Sequence, residues 1–500
     1  MERSRSFIET VKTLLIAVLT LSAVLLTAFY WADLSLDSLF TKKPTDDTPI
    51  QTPDAPKTRE IIAPAEICVN RTGEPGGEFT VLFPEDRNAW QTAVTAFASF
   101  SRSEGASLEE TTEANYTALS AARSVRISFA YGLPFDGFCK QFGIASAPFT
   151  AVNALNEIVY SEAAPDSLFV EDRASGKRYR LIGSEEELRP LRELAGGDAG
   201  EGETLSRTVS AVFGESNPAL LPTAYAGVLR TAAVEKEFHE AKRDTEADRF
   251  ARTFFDNSLD FVRRVEDSKG LLTYIYNYTQ KVLTVTADGI AEYKEEIAES
   301  TVTQGFYASL GTALSFVAEH GGWYPTLTVD GETSADGFVP YLLSASEIAS
   351  GHRSGYRFAF GFRAGREILC AGDEAAITVD VYDGQVTYYR RAMFTTVALK
   401  GVSDPEAVAC LPAEALANNR DWAYETLAGC GVVAGGASGE ERARRVLRAV
   451  TRVKSGYLFN MADAGDVLDA TAVWAVRAGK ALLFFDLVTG EPVSYAVDAD

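Results

Sequence analysis

The order of apolar and polar positions divides the chain into a membrane span, a polar spacer and a long folded remainder. Thr13 to Ala32 is twenty residues without a charge, rich in Leu, Val, Ile and Ala. As a helix it spans roughly 30 Å, one hydrocarbon core. Arg3, Arg5 and Lys12 precede it, and Asp33 and Asp37 follow it. The positive-inside rule therefore keeps the N-terminus in the cytoplasm and places the bulk of the chain outside the cell membrane. A cleaved signal peptide shares the basic start and apolar middle. This stretch is longer, however, and ends in Phe29-Tyr30-Trp31, an interfacial aromatic belt in place of a small-residue cleavage site. Thr13, Ala17, Thr20, Ala23 and Thr27 fall on one stripe of the helix. Small and hydroxyl side chains so placed let a partner helix approach closely, although Ala and Thr are common in any span.

Beyond a linker at 33–60 with Pro44, Pro49, Pro53 and Pro56, helical and alternating patterns take turns. Trp90, Val94 and Phe97 mark a helix over Asn88 to Phe100, and Tyr307, Leu310, Leu314 and Val317 mark another over Tyr307 to His320. A longer helix is expected from Ala233 to Val265, with Phe238, Phe250, Phe254 and Phe261 towards one side. Four segments read as strand, acidic turn ending in Gly, strand: Ser167 to Leu181, Lys281 to Ile297, Ala376 to Arg391 and Ala481 to Val497. Their recurrence predicts related modules.

The expected class is α+β: a single N-terminal transmembrane helix followed by two or three mixed α/β modules built on small antiparallel sheets with covering helices. The span, the Pro-containing spacer and the soft stretch AGGDAGEGE (Ala195 to Glu203) accompany expected boundaries at 1–12 (cytoplasmic tail), 13–32 (span), 33–60 (linker), 61–195, 196–302 and 303–500.

A net charge of −23 argues against nucleic acid and anionic lipid as general partners. The five cysteines contain no C-x-x-C pair and are expected as buried thiols, with a Cys410 to Cys430 disulfide as the alternative. Three histidines, and no H-E-x-x-H, G-x-S-x-G, P-loop or G-x-G-x-x-G, leave little material for catalysis. No enzyme, cofactor, metal or small-molecule substrate is therefore expected. Arg442, Arg444, Arg445, Arg448, Arg452 and Lys454 form a basic run, expected as a solvated helix face before a docking patch. Three glycosylation sequons, at Asn70, Asn115 and Asn277, are no more than chance supplies.

The stretch YASLGTALSFVAEHGGWYP (Tyr307 to Pro325), ending in His320-Gly321-Gly322-Trp323, resembles the helix and turn of the YycH family. The likeness continues through SGYRFAFGFRAGREIL, AITVDVYDGQVTYYRR and TAVWAVRAGKALLFFDLVTGEPV. The last of these is also similar to the end of YycI proteins and of PepSY-like modules. The resemblance implies a membrane-anchored regulator of a two-component system, acting in signal transduction on a sensor histidine kinase of the WalK type, with a YycI-like sister protein as a further partner. Within the residues themselves, the His320 to Trp323 motif reads first as structural, with Gly321 closing the helix and Trp323 packing back on it. A PepSY-like extracytoplasmic module that binds a ligand or inhibits a protease, or an envelope assembly factor, is the alternative.

Overall fold

The computed structural model describes residues 55–498, apart from 75–76, 83–86, 120–121, 198–203, 226, 297–303, 335–336 and 402–408. Residues 52–500 belong to one compact unit. The expected span and its stripe of Thr13, Ala17, Thr20, Ala23 and Thr27 lie outside the described residues. Among the described residues no helix is long and apolar enough to cross a membrane.

Each of the four acidic hairpins closes the last two strands of a unit that combines one helix with a four-stranded antiparallel meander. In the first unit, α1 (Arg87–Phe100) precedes β1 (Ser124–Pro134), β2 (Ala154–Ser161), β3 (Ser167–Asp172) and β4 (Lys177–Ile182). The second has α2 (Arg243–Arg252), β5 (Val262–Glu266), β6 (Leu272–Tyr276), β7 (Lys281–Val285) and β8 (Ile290–Glu295). The third has α3 (Phe306–Glu319), β9 (Val339–Ser350), β10 (Arg353–Ala364), β11 (Ile377–Tyr382) and β12 (Gln385–Ala392). The fourth has α4 (Glu440–Ala449), β13 (Val450–Phe459), β14 (Val467–Ala478), β15 (Ala481–Asp486) and β16 (Pro492–Val497). The turns share one cause. Gly176, Gly289, Gly384 and Gly490 hold φ of 68°, 76°, 83° and 72°, a left-handed conformation that a side chain disfavours.

The helices follow their apolar stripes. On α3, Phe306, Leu310, Ala313, Leu314 and Val317 are buried at helical spacing and meet the sheet through pairs such as Phe306–Phe358 and Phe316–Tyr389. On α1, Ala93, Val94 and Phe97 line a small apolar crevice with Ile127 of β1, Ile158 of β2 and Leu168 of β3.

Two expectations are corrected. The sheets are not small and separate: among the described residues the first meander is part of a nine-stranded sheet, and the other three belong to one branched sheet of seventeen strands. An isolated meander leaves unpaired backbone groups at its edges, and joining edges satisfies them. Thus β8 runs antiparallel to β12, so the second and third units share a continuous surface. The strand Glu367–Ala371 links β10 to β13, antiparallel to one and parallel to the other. The second correction concerns Ala233 to Val265, which is strand Arg230–Lys236, then α2, then β5, not one helix. Arg230–Lys236 sits between Phe394–Gly401 and β14 and takes its hydrogen bonds from both. Asn257 at φ 60° and Phe261 at φ 65° break the helical path further on. Phe238, Phe250 and Phe254 still converge, but Phe261 is 94% exposed.

The first unit docks on the third. The Tyr307 hydroxyl on α3 donates to the Pro134 carbonyl at 3.0 Å. Its ring occupies the space beside Gly137, where an added Cβ would lie 2.1 Å from it.

Candidate functional site

The motif His320-Gly321-Gly322-Trp323 ends α3 above the line where β8 meets β12. There Tyr293 and Tyr389 are cross-strand partners, and Phe254, Phe316 and His320 pack over them. The His320 ring lies 3.9 Å from that of Phe316 and 4.2 Å from that of Phe254, centroid to centroid. Its Nδ1 faces the Phe316 carbonyl at 2.6 Å. Burial pushes its pKa down to about 4, so near neutral pH the imidazole is uncharged. Tyr389, its own pKa pushed up to about 12 by burial, donates to the His320 carbonyl at 2.7 Å. Arg391 donates to the Gly322 carbonyl.

The two glycines have separate reasons. Gly321 at φ 103° and Gly322 at φ 75° turn the chain back, and a Cβ on Gly321 would lie 2.9 Å from the Arg391 guanidinium. That reversal brings Trp323 under the helix, fully buried, with its indole N–H donating to the Leu314 carbonyl at 2.9 Å. Nothing in this arrangement offers a solvent-reachable acid, base or nucleophile. It is a joint between the second and third units.

A second cluster joins the third unit to the fourth. Glu374, in the turn after Glu367–Ala371, is buried and accepts from the Tyr341 hydroxyl of β9 at 2.9 Å. It pairs with Arg452 at 3.0 Å, Lys454 at 3.5 Å and Arg477 at 3.3 Å. Arg452 and Arg477 are direct cross-strand partners on β13 and β14. Like charges so placed repel, and Glu374 between them makes the pairing tolerable. Burial by itself would raise the Glu374 carboxyl, but the three cations outweigh it and hold it well below the usual carboxylate range. The Arg363 guanidinium stacks on the Tyr341 ring at 3.9 Å. Cys370 nearby is pushed well up, first by burial and then by Glu374 and Asp373, which favours the protonated thiol near neutral pH.

Sequence reasoning missed this cluster by assigning Arg452 and Lys454 to the helical basic run. The helix stops at Ala449, and the two residues lie on β13. The signal was available: in VTRVKSGYLF, Arg452 and Lys454 lie two residues apart with Val453 between them, so on a strand the two charges share one sheet face. The rest of the run is a neutralised helix face. Arg442 pairs with Asp421 and Glu425, Arg444 and Arg448 with Glu215, and Arg445 with Glu441.

All five cysteines are free thiols: Cys68, Cys139 and Cys370 are buried, and Cys410 and Cys430 half-buried. Among the described residues no three His, Cys, Asp or Glu side chains converge to hold a metal ion. Of the sequons, Asn70 is buried, while Asn115 and Asn277 are exposed. Among the described residues the most exposed large apolar side chains are Tyr278 and Phe261, at one end of the second meander, followed by Val228, Val467 and Tyr324; Val493, Tyr495 and Val497 form an exposed row on β16.

No family model and no curated protein matches the chain, so the likeness to YycH rests on the residues quoted for it. Among solved structures, the chain is similar to an uncharacterised protein from Eubacterium rectale at 12% identity, over 53% of this chain and 82% of that one, with a TM-score of 0.30. It is also similar to the C-terminal domain of YpeB from Bacillus megaterium at 10% identity, over 51% of this chain and 98% of that one, with a TM-score of 0.24.

Proposed function

We propose that this protein is a non-enzymatic regulator, anchored in the cell membrane by one helix, that modulates a WalK-type sensor histidine kinase from outside the cytoplasm, with or without a YycI-like sister protein. One observation carries the reading furthest. Two side chains whose titration the fold shifts far, His320 and Glu374, are engaged in joints between units, whereas Val493, Tyr495 and Val497 stand exposed on the outer strand β16. Perturbed groups mark catalytic clefts when they face substrate, and structural ties when they face one another. A stiff series of joined meanders with open margins suits contact with another protein.

A lone span biases a kinase by packing better against one of its two helix arrangements. Only that difference in affinity matters, and a coupling of ~1–3 kcal/mol changes the state ratio by about 5–150-fold. The test replaces Ala17 and Ala23 together by Leu, which keeps the span apolar but blocks close approach. Crosslinking to the kinase and output of its response regulator should both fall, while Leu15→Ile with Leu26→Ile, off the stripe, leaves them unchanged. Wild-type behaviour of the Leu variant, or full replacement by an unrelated span, removes the helix from the mechanism. Recovery of a secreted protease or cell-wall enzyme in place of a kinase removes the kinase itself.

A further inference from the structure

The joint between β8 and β12 shows how units of this kind combine. Each contributes the free edge of its last meander strand, and the two edges run antiparallel with Tyr293 opposite Tyr389. The fourth unit ends in the same element, β16, which among the described residues pairs only with β15. The Asp498 amide donates to the Lys480 carbonyl at 2.9 Å. Ser494, Ala496 and Asp498 therefore turn their backbone groups inward, and by alternation Tyr495 and Val497 turn theirs outward. A bulge gives β16 one extra residue, Val493, opposite the Phe484–Phe485 step. Along β16 exposure alternates, with Val493, Tyr495 and Val497 exposed and Pro492, Ser494 and Ala496 half-buried. The first three side chains are 42%, 53% and 41% exposed. By contrast, Tyr293 and Tyr389 in the internal joint are covered.

We propose that β16 is the edge through which two copies of this chain pair, antiparallel about a twofold axis at Tyr495. The occupant follows from the row itself, which reads Val, Tyr, Val in either direction. A second copy centred on Tyr495 sets Tyr against Tyr and Val against Val, and satisfies the outward N–H and C=O groups of both strands. One short strand edge covers less than the ~1,200 Å² of a stable interface. The dimer is therefore in equilibrium with monomer. Its salt dependence has a definite sign: copies carrying −23 each repel, so added salt strengthens the association by screening.

The test is sedimentation of the full chain in mild detergent over roughly 1–300 µM, a range that brackets weak specific association. Dimer should accumulate with concentration and with salt. Tyr495→Lys should raise the dissociation constant about tenfold or more without moving the thermal midpoint, since the side chain is half exposed on an edge. Phe261→Lys, on the second unit, should leave it unchanged. Under mild oxidation Tyr495→Cys should give a covalent dimer through facing thiols, and Ser494→Cys, on the other face, should not. A chain that stays monomeric throughout, or dimers indifferent to Tyr495→Lys and without the 495 crosslink, overturns the proposal.

Discussion

Trp323 is a fully buried ring held by one hydrogen bond to the helix it follows. Trp323→Ala should cost about 3–5 kcal/mol, the range for large aromatic side chains removed from a core. Urea titration measures it, and unchanged stability with lost partner binding would instead make the motif a contact site. His320, one turn above, gives a pH signature. The unfolded imidazole titrates near ~6.5 and the folded one at about 4. Between those values the unfolded chain binds a proton that the folded chain does not, so stability falls as pH drops through the window, by about 3 kcal/mol in total. His239 acts with the opposite sign, its pKa raised first by its hydrogen bond to Glu235. The measurement is therefore the difference in slope between wild type and His320→Leu, and equal slopes refute the assignment. Glu374→Gln leaves three largely buried cations facing one another and should cost about 3–5 kcal/mol. The folded Glu374 carboxyl is depressed, so its contribution is present above the unfolded carboxylate pKa and is lost as pH falls below it. Wild-type stability of Glu374→Gln at neutral pH would show that the cluster is screened by solvent.

At the scale of the element, the hairpins were readable because their chemistry is local. An acidic turn closed by glycine between alternating apolar residues needs nothing from the rest of the chain to form a tight reversal. Gly176 isolates this effect, since an added Cβ there meets nothing within 4 Å while φ stays at 68°. Gly176→Ala should therefore cost about 1–2 kcal/mol through backbone strain alone, and Gly176→Asn distinctly less, because Asn tolerates the left-handed region. Equal losses in calorimetry would place the cost elsewhere. The stretch from Ala233 to Val265 was not readable in the same way. Its phenylalanines recur near helical spacing, yet Arg230–Lys236 is drawn into a sheet by two partner strands that lie far along the chain. Local propensity is a weak prior against that many hydrogen bonds.

For the whole molecule, the shared edge between β8 and β12 means that the stretches 196–302 and 303–500 complete each other. Separating them exposes two strand edges and the aromatic cluster around Tyr293 and Tyr389. Residues 55–302 and 303–500 produced apart should aggregate or unfold without a cooperative transition, while the intact folded part unfolds as a unit across this joint. Two soluble, independently cooperative fragments would show that the joint is dispensable.

What the sequence determined by itself is what short-range chemistry controls: the alternation of helices with acidic hairpins, the repetition of one unit, the turn at Gly321 and the inward stripe of α3. What only the tertiary structure decided is how the units are joined. Edge pairing between distant strands depends on which backbone groups remain unsatisfied after each meander forms, and that is invisible in any local window. The same holds for the cluster at Glu374. Its three cations sit on two adjacent strands of one unit, yet the carboxylate that makes their burial tolerable comes from a different unit, 78 residues before Arg452.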